Sequence, residues 1–355
     1  MPATAPSDDD AWSFAHDIAD VVARCVPVWN ELRGASLLIT GGTGFIGRWL
    51  LASLAAANER HTLGVTATIL TRDPERFRQR APELASHPAF RLAAGDVRDV
   101  AVPAGDFSHI IHGAAEASAA VNEADPARMF DTIVAGTRHV LDLAVARRPK
   151  RALFLSSGAV YGRQPWEIEH VAEDFTGAPD LADPRATYAE AKRAAEMLCT
   201  IYGKQFGLTI AVARIFTLLG PYLPLDTHFA VGNFIRDAMS GRPVTVNSDG
   251  RACRSYLYGS DLAVWLWHML VRAEPGRPYN VGSNESVSIR DLAACVSRIV
   301  GSGGVDIRGK ADTGWNPGRY VPDTDLIARD LGLRRAVSLD EAIRRTALWN
   351  GWKGR

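Results

Sequence analysis

The segment Ser36-Leu-Leu-Ile-Thr40, followed by Gly41-Gly-Thr43-Gly44-Phe45-Ile46-Gly47, constrains this chain more than any other stretch. A short apolar strand runs into glycines spaced three apart and then into a helical pattern. Gly41 permits a tight turn, Gly44 removes the side chain where backbone must approach a pyrophosphate, and Gly47 lets helix and strand pack closely. The N–H groups at the helix start, where the macrodipole favours negative charge, suit phosphate. Gly41, Thr43, Gly44, Phe45, Ile46 and Gly47 are therefore expected to hold a dinucleotide.

Beyond this turn, β-type runs at Ser36–Thr40, Val65–Leu70, Phe90–Ala93, His109–His112, Ala152–Ser156 and Thr209–Arg214 alternate with helical stretches, notably Ile46–Ala57, Ala127–Ala146 and Tyr188–Gly203. Such alternation predicts an α/β fold, a Rossmann-type doubly wound parallel sheet. After Arg214 the alternation loosens, so a smaller C-terminal substrate-binding lobe is expected. The expected division is a disordered tail plus N-terminal helical extension over 1–35 and a dinucleotide domain over 36–215, to which 255–285 return. The lobe takes 216–254 and 286–355. In the extension, Ile18, Val21, Val22, Cys25, Val26 and Trp29 recur at helical spacing, predicting one or two helices packed on the body.

An NAD site ends its second strand with an acid that takes the ribose hydroxyls. Here the strand ends Thr71-Arg72-Asp73-Pro74-Glu75, and Asp73 before Pro74 reads as a helix cap. Arg72 is then free to meet a 2′-phosphate, so NADP(H) is favoured over NAD(H). Asp96, after the third strand, is a candidate for the adenine or a turn residue.

Tyr188 and Lys192 lie four apart on one predicted helix face. A phenol is a poor base at neutral pH unless a neighbouring ammonium favours its phenolate. Ser157, in Leu155-Ser-Ser157-Gly-Ala-Val-Tyr-Gly162, ends a strand at the sheet edge where α/β sites form, and could bond a reacting hydroxyl. With TGGTGFIG, GDVRD, HGAA, SSGAVYG, YAEAK, ARIF, GNFIRDA, DGRACRSYLY, NVGS and RYVPD, the chain resembles the extended short-chain dehydrogenases/reductases of the nucleotide-sugar epimerase/dehydratase type, from about Ser36 onward. The resemblance implies Tyr188 as base or acid, Lys192 as the group that lowers its pKa and holds the nicotinamide ribose, and Ser157 as the group orienting the substrate oxygen. It adds Val97 and Ala114 to the cofactor contacts. It also implies Asn233, Arg254 and Arg319 as nucleotide-sugar contacts, which suits a diphosphate's need for cationic forks.

Three departures narrow the chemistry. Dehydratases of this type carry an Asp-Glu pair after the hydroxyl residue, and the decarboxylases keep a Glu at the second position; here Gly158 and Ala159 stand there. Thr217 replaces the usual Asn after Arg-x-Phe, leaving the substrate-diphosphate contact at that position open. What remains needs one tyrosine and hydride transfer, so a C4-epimerase of a nucleotide sugar is the leading expectation. The alternatives are a 4-ketoreductase or a dehydratase/decarboxylase with displaced acids. Further off stand a reductase of a non-sugar ketone and a non-catalytic NADP-sensing regulator. Glu116 is a candidate acid or an exposed loop carboxylate, and His112 reads as structural.

Forty basic residues balance forty acidic ones, which argues against a nucleic-acid or anionic-membrane partner. No apolar run reaches the about 20 residues needed to span a bilayer. The four cysteines, Cys25, Cys199, Cys253 and Cys295, show no pairing or metal spacing, and no metal site is expected. The polar, acidic start is unlike a signal peptide, so a cytoplasmic protein is expected. The resemblance implies a homodimer built on the helices over Ala127–Ala146 and Tyr188–Gly203.

Overall fold

Six runs of β-branched and apolar residues become strands: β1 (Ser36–Thr40), β2 (Thr66–Thr71), β3 (Phe90–Ala94), β4 (His109–His112), β5 (Arg151–Ser157) and β6 (Ile210–Ile215). They appear in a computed structural model that describes residues 12–99, 105–115, 119–226, 229–301, 303–310 and 318–354. A seventh strand, β7 (Pro278–Val281), joins from the far part of the chain. The order is β7-β6-β5-β4-β1-β2-β3, and every neighbouring pair is parallel. Parallel strands need helical crossovers, which cover both faces, and Leu37, Leu38 and Ile39 are accordingly buried on each side. The chain winds outward from β1 to β3, then returns to β4 and winds the other way. The switch point therefore lies between β1 and β4, at the carboxyl ends where ligands of such sheets sit.

Two N-terminal helices, α1 (Phe14–Arg24) and α2 (Val26–Glu31), precede β1. Ile18, Val21, Val22, Cys25 and Trp29 are buried as the spacing predicts, but Val26 is exposed, because it opens α2 beside Pro27 instead of continuing the buried stripe of α1. The expected tail over 1–10 lies outside the described residues. The crossovers include α3 (Phe45–His61), α4 (Pro126–Arg147) and α5 (Thr187–Phe206), each longer than its apolar pattern predicts. Thr62, Arg148 and Gly207 end them in the left-handed region.

The smaller C-terminal lobe holds α6 (Ala230–Met239) and a three-stranded sheet in which Cys253–Arg254 lies between Val287–Ser288 and Arg319–Tyr320. The helix α7 (Gly259–Arg272) is almost wholly buried, and α8 (Leu339–Trp349) completes the fold. The buried carboxylate of Asp17 in α1 accepts from Tyr258 Oη at 2.6 Å and from Arg345 Nη1 at 2.5 Å. Asp261 in α7 accepts from Arg24 Nη1 at 2.8 Å and from the amides of Ala336 and Val337, each at 3.0 Å. The ring of Phe14 meets Trp49, Tyr222 and Trp349 at 4.9, 5.4 and 5.3 Å. The extension is thus a joint between the first crossover helix, α7 and α8.

Candidate active site

The glycine turn connects β1 to α3 against the loop that follows β4. Gly41 sits at φ +74°, and a Cβ there would lie 2.5 Å from the backbone of Gly113. A Cβ on Gly47 would lie 2.3 Å from the backbone of Gly42. Both glycines are therefore demanded by packing. Gly44 is not: a Cβ there would meet nothing closer than Gly41 O at 3.5 Å, and the residue is exposed. That open face at the N-terminus of a 17-residue helix has the form of a pyrophosphate cradle, so the residues fit a dinucleotide. Thr40 Oγ1 accepts from the amides of Gly113 and Ala114 at 3.2 and 3.1 Å, fixing Ala114 at the switch point.

His112 is buried and joins the same cluster. With Thr40 Oγ1 accepting two amides, its proton goes to His112 Nδ1 at 2.7 Å. Thr137 donates to Ile133 O at 2.6 Å, so its oxygen accepts from His112 Nε2 at 3.0 Å. Only the neutral ring satisfies this set, and burial pushes its pKa down to about 3. His112 is a structural residue.

At the adenosine end, the Asp73 carboxylate accepts from Arg76 N at 2.8 Å and caps the helix Pro74–Arg80. Arg72 is exposed at the carboxyl end of β2. Asp96 accepts from Arg98 Nε and Nη2 at 2.9 and 3.0 Å, and these bonds hold its pKa below the usual carboxylate range. Val97 is buried against Gly136 of α4, where a Cβ would stand 2.7 Å from Val97 Cγ1.

The catalytic candidates converge where β5 ends and α5 begins. Ser157 is buried at the last position of β5, where its hydroxyl accepts from Ala159 N at 3.2 Å and lowers the pKa of the Tyr188 phenol. Lys192, one turn on, is buried and donates from Nζ to Leu155 O at 2.7 Å. Its Nζ stands 4.9 Å from the ring centroid of Phe154 and 6.0 Å from that of Tyr188. Burial moves both groups toward neutrality, raising the phenol and lowering the ammonium to about 8. Glu196, a further turn along α5, opposes the fall at Lys192. That carboxylate accepts from Arg214 Nη2 at 2.8 Å and from Ser156 Oγ at 2.5 Å. The lysine is thus anchored to β5, and the phenol rests in its neutral form with Ser157 as partner.

The lobe adds a residue that the sequence reading passed over. Arg319–Tyr320 pairs in parallel with Cys253–Arg254, in the register Arg319 to Cys253 and Tyr320 to Arg254. Side chains alternate along a strand, so Tyr320 and Arg254 share one face and Arg319 takes the other. The ring centroid of Tyr320 lies 4.6 Å from that of Phe216, and Ser157 and Arg254 each lower the pKa of its hydroxyl. Arg319 instead stacks its guanidinium 4.5 Å from the ring centroid of Trp166. The motif RYVPD drew attention to its arginine, while the alternation of a two-residue strand selects its tyrosine.

Phe216 also accounts for Gly158. A Cβ at 158 would lie 2.6 Å from Phe216 Cζ, so the aromatic ring occupies the space a side chain there would need. Thr217 follows, with its carbonyl accepting from Leu257 N at 3.0 Å. Asn233 lies half-buried in α6. The position of Glu116 lies outside the described residues. Among the described residues no cluster of His, Cys, Asp and Glu has the form of a metal site, and no helix is long and apolar enough to cross a membrane.

Comparison with known proteins gives a consistent result. The chain is 33% identical over 311 residues to UDP-glucuronic acid decarboxylase 1 of Xenopus tropicalis, covering 87% of this chain and 70% of that one. In structure it is similar to the epimerase Mth375 of Methanothermobacter thermautotrophicus, with TM-score 0.76, 23% identity and coverage of 92% and 95%. It is also similar to DesIV, a dTDP-glucose 4,6-dehydratase of Streptomyces venezuelae solved with NAD, with TM-score 0.73, 26% identity and coverage of 88% and 96%. Residues 37–282 match the NAD dependent epimerase/dehydratase family, to which this chain belongs as an NAD(P)-dependent enzyme.

Proposed function

We propose that the chain acts on a nucleoside-diphosphate sugar, oxidising the C4 hydroxyl and then decarboxylating a uronic acid at C5. The observation that carries this is its 33% identity to a UDP-glucuronic acid decarboxylase along 87% of its length. This reading takes precedence over the 4-epimerase expected from the sequence, because the curated relatives are decarboxylases. The 4-epimerase remains a second reading, favoured by Gly158 and Ala159, which carry no group able to transfer a proton.

A nicotinamide dinucleotide held over Gly41–Gly47 supplies the redox chemistry at C4 when bound. Tyr188 takes the C4 hydroxyl proton and later returns it, with Ser157 orienting that oxygen. The Lys192 cation beside the phenol favours its ionised form, while Arg254, Asn233 and Thr217 hold the nucleoside diphosphate. Arg319 belongs to this set only through a contact beyond its stacking on Trp166. Exposed Arg72 beside the capped Asp73 supports NADP(H) over NAD(H). Four free thiols support the reducing cytoplasm. Packed α4 and α5 leave Phe130, Met197 and Ile201 exposed, which supports a homodimer. Sedimentation of a Met197→Glu/Ile201→Glu variant tests it, with a shift to monomer expected.

Incubation with a panel of UDP-, dTDP-, CDP- and GDP-sugars, uronic acids included, read by NMR, tests the reaction. A pentose product with release of carbon dioxide is expected; a C4 epimer instead supports the second reading.

A further inference from the structure

Decarboxylation next to a C4 ketone leaves an enolate that must be protonated at C5, and neither Gly158 nor Ala159 can do so. From the strand register and the packing around Ser157, we infer that Tyr320 is a second catalytic phenol, the acid that delivers this proton. The inference rests on the decarboxylase reading.

Three observations point to it. The pairing of Tyr320 with Arg254 aims a phenol and a guanidinium from the lobe at the carboxyl end of β5, where Tyr188 already stands. Ser157 at the end of β5 lowers the pKa of both phenols, so one hydroxyl lies beside two proton-bearing groups, one on α5 and one from the lobe. The ring of Tyr320 is held 4.6 Å from Phe216, whose own ring is set by the missing side chain of Gly158. Thus the aromatic pair fills the place from which residue 158 could have supplied an acid. The other phenol of the cluster, Tyr161, is committed elsewhere: it donates to Asn280 Oδ1 at 2.8 Å and accepts from Arg214 Nη1 at 2.9 Å. Burial raises the Tyr320 pKa, so the hydroxyl enters each cycle protonated.

The step balances as follows. The C5–C6 bond of the 4-keto uronic acid breaks, its electron pair enters the enolate, and C6 leaves as carbon dioxide. Tyr320 gives its proton to C5, the enolate pair forms the C5–H bond, and the ketone is restored. The phenolate is reprotonated from water through Ser157, with Arg254 stabilising the negative charge meanwhile.

The test compares wild type with Tyr320→Phe, each as the holoenzyme, on UDP-glucuronate and the same sugar panel in D2O. Wild type is expected to place one solvent deuterium at C5 of the pentose. Tyr320→Phe keeps the ring against Phe216. It is expected to form the 4-keto sugar at the wild-type rate, while pentose formation falls by roughly 10²- to 10⁴-fold, the range for a lost general acid. Retained C4 oxidation also shows that the variant is folded. Deuterated pentose from Tyr320→Phe at the wild-type rate overturns the inference alone. So does a variant that has lost C4 oxidation together with the later step. A wild type that puts no deuterium at C5 of any sugar overturns the inference and the decarboxylase reading together.

Discussion

Lys192 donates to the carbonyl oxygen of Leu155 at 2.7 Å, and its ammonium stands 6.0 Å from the ring centroid of Tyr188. The cation is thus fixed to the sheet, beside the phenol rather than bonded to it. Its influence is one of field and placement.

That relationship has a pH signature. Burial lowers the ammonium to about 8, with Glu196 and Cys199 of the same helix opposing the fall. Neutral His112, facing it from β4, adds no charge at neutral pH. Catalysis that needs the cation falls as pH rises through about 8, and the kcat/KM profile checks this. Lys192→Met loses activity by roughly 10²-fold or more. Its Tm at pH 7 rises, because a desolvated charge is replaced by an apolar chain.

Gly44 and Gly47 separate ligand space from packing space. Gly44→Ala is expected to keep the wild-type Tm yet lose dinucleotide affinity, since its Cβ enters only the open cradle. Gly47→Ala is expected to lose both, because its Cβ would stand 2.3 Å from Gly42 backbone; overpacking of this kind costs about 1–3 kcal/mol. Thermal melts and calorimetric titration with NAD and NADP read the two effects.

Acid stability follows from the two buried histidines of β4. Burial holds His112 down to about 3 and His109 to about 4, below the unfolded value of 6.5. A depressed folded pKa means that the unfolded chain binds more protons in this window. The stability is present above pH 6.5 and is lost as pH falls toward 4 and 3. Each histidine contributes a loss of about 1 kcal/mol between pH 6.5 and 5.5. Urea melts at those two pH values measure it, and Thr137→Val, which removes the acceptor of His112 Nε2, lowers stability at both.

Asp17 tests the N-terminal joint. Its buried carboxylate holds Tyr258 and Arg345, so Asp17→Ala leaves the buried Tyr258 phenol without its acceptor, while Arg345 keeps Glu341. Leaving a buried hydroxyl without its acceptor costs about 1–3 kcal/mol, and a denaturant melt should show a loss of that order.

The sheet was legible because its signals are local. Apolar runs, the glycine triplet and the Asp-Pro-Glu cap each fit within a dozen residues, and the strands at Ser36–Thr40 and His109–His112 coincide with their patterns. Tyr188 and Lys192 were legible for the same reason, since a helix repeats every turn. Tyr320 was not. Its orientation depends on a two-residue strand pairing with Cys253–Arg254, far away in the chain, and no period can be read from two residues. The same alternation sends Arg319 toward Trp166, a direction its sequence motif does not encode. The anchoring of Lys192 to Leu155 joins a helix to a main-chain oxygen on another element, which composition does not mark. Such pairings join elements that the sequence describes one at a time.

Asp17 and Arg345 lie 328 positions apart, yet they share one part-buried bond. Closing so long a loop carries a large entropic penalty before the contact can repay it. The first helix also packs on α3, close by in the chain, so the bond to α8 is the long-range part of its seat. Losing α8 would strip Arg345 from Asp17 and Trp349 from Phe14, so damage at one end of the chain is felt at the other.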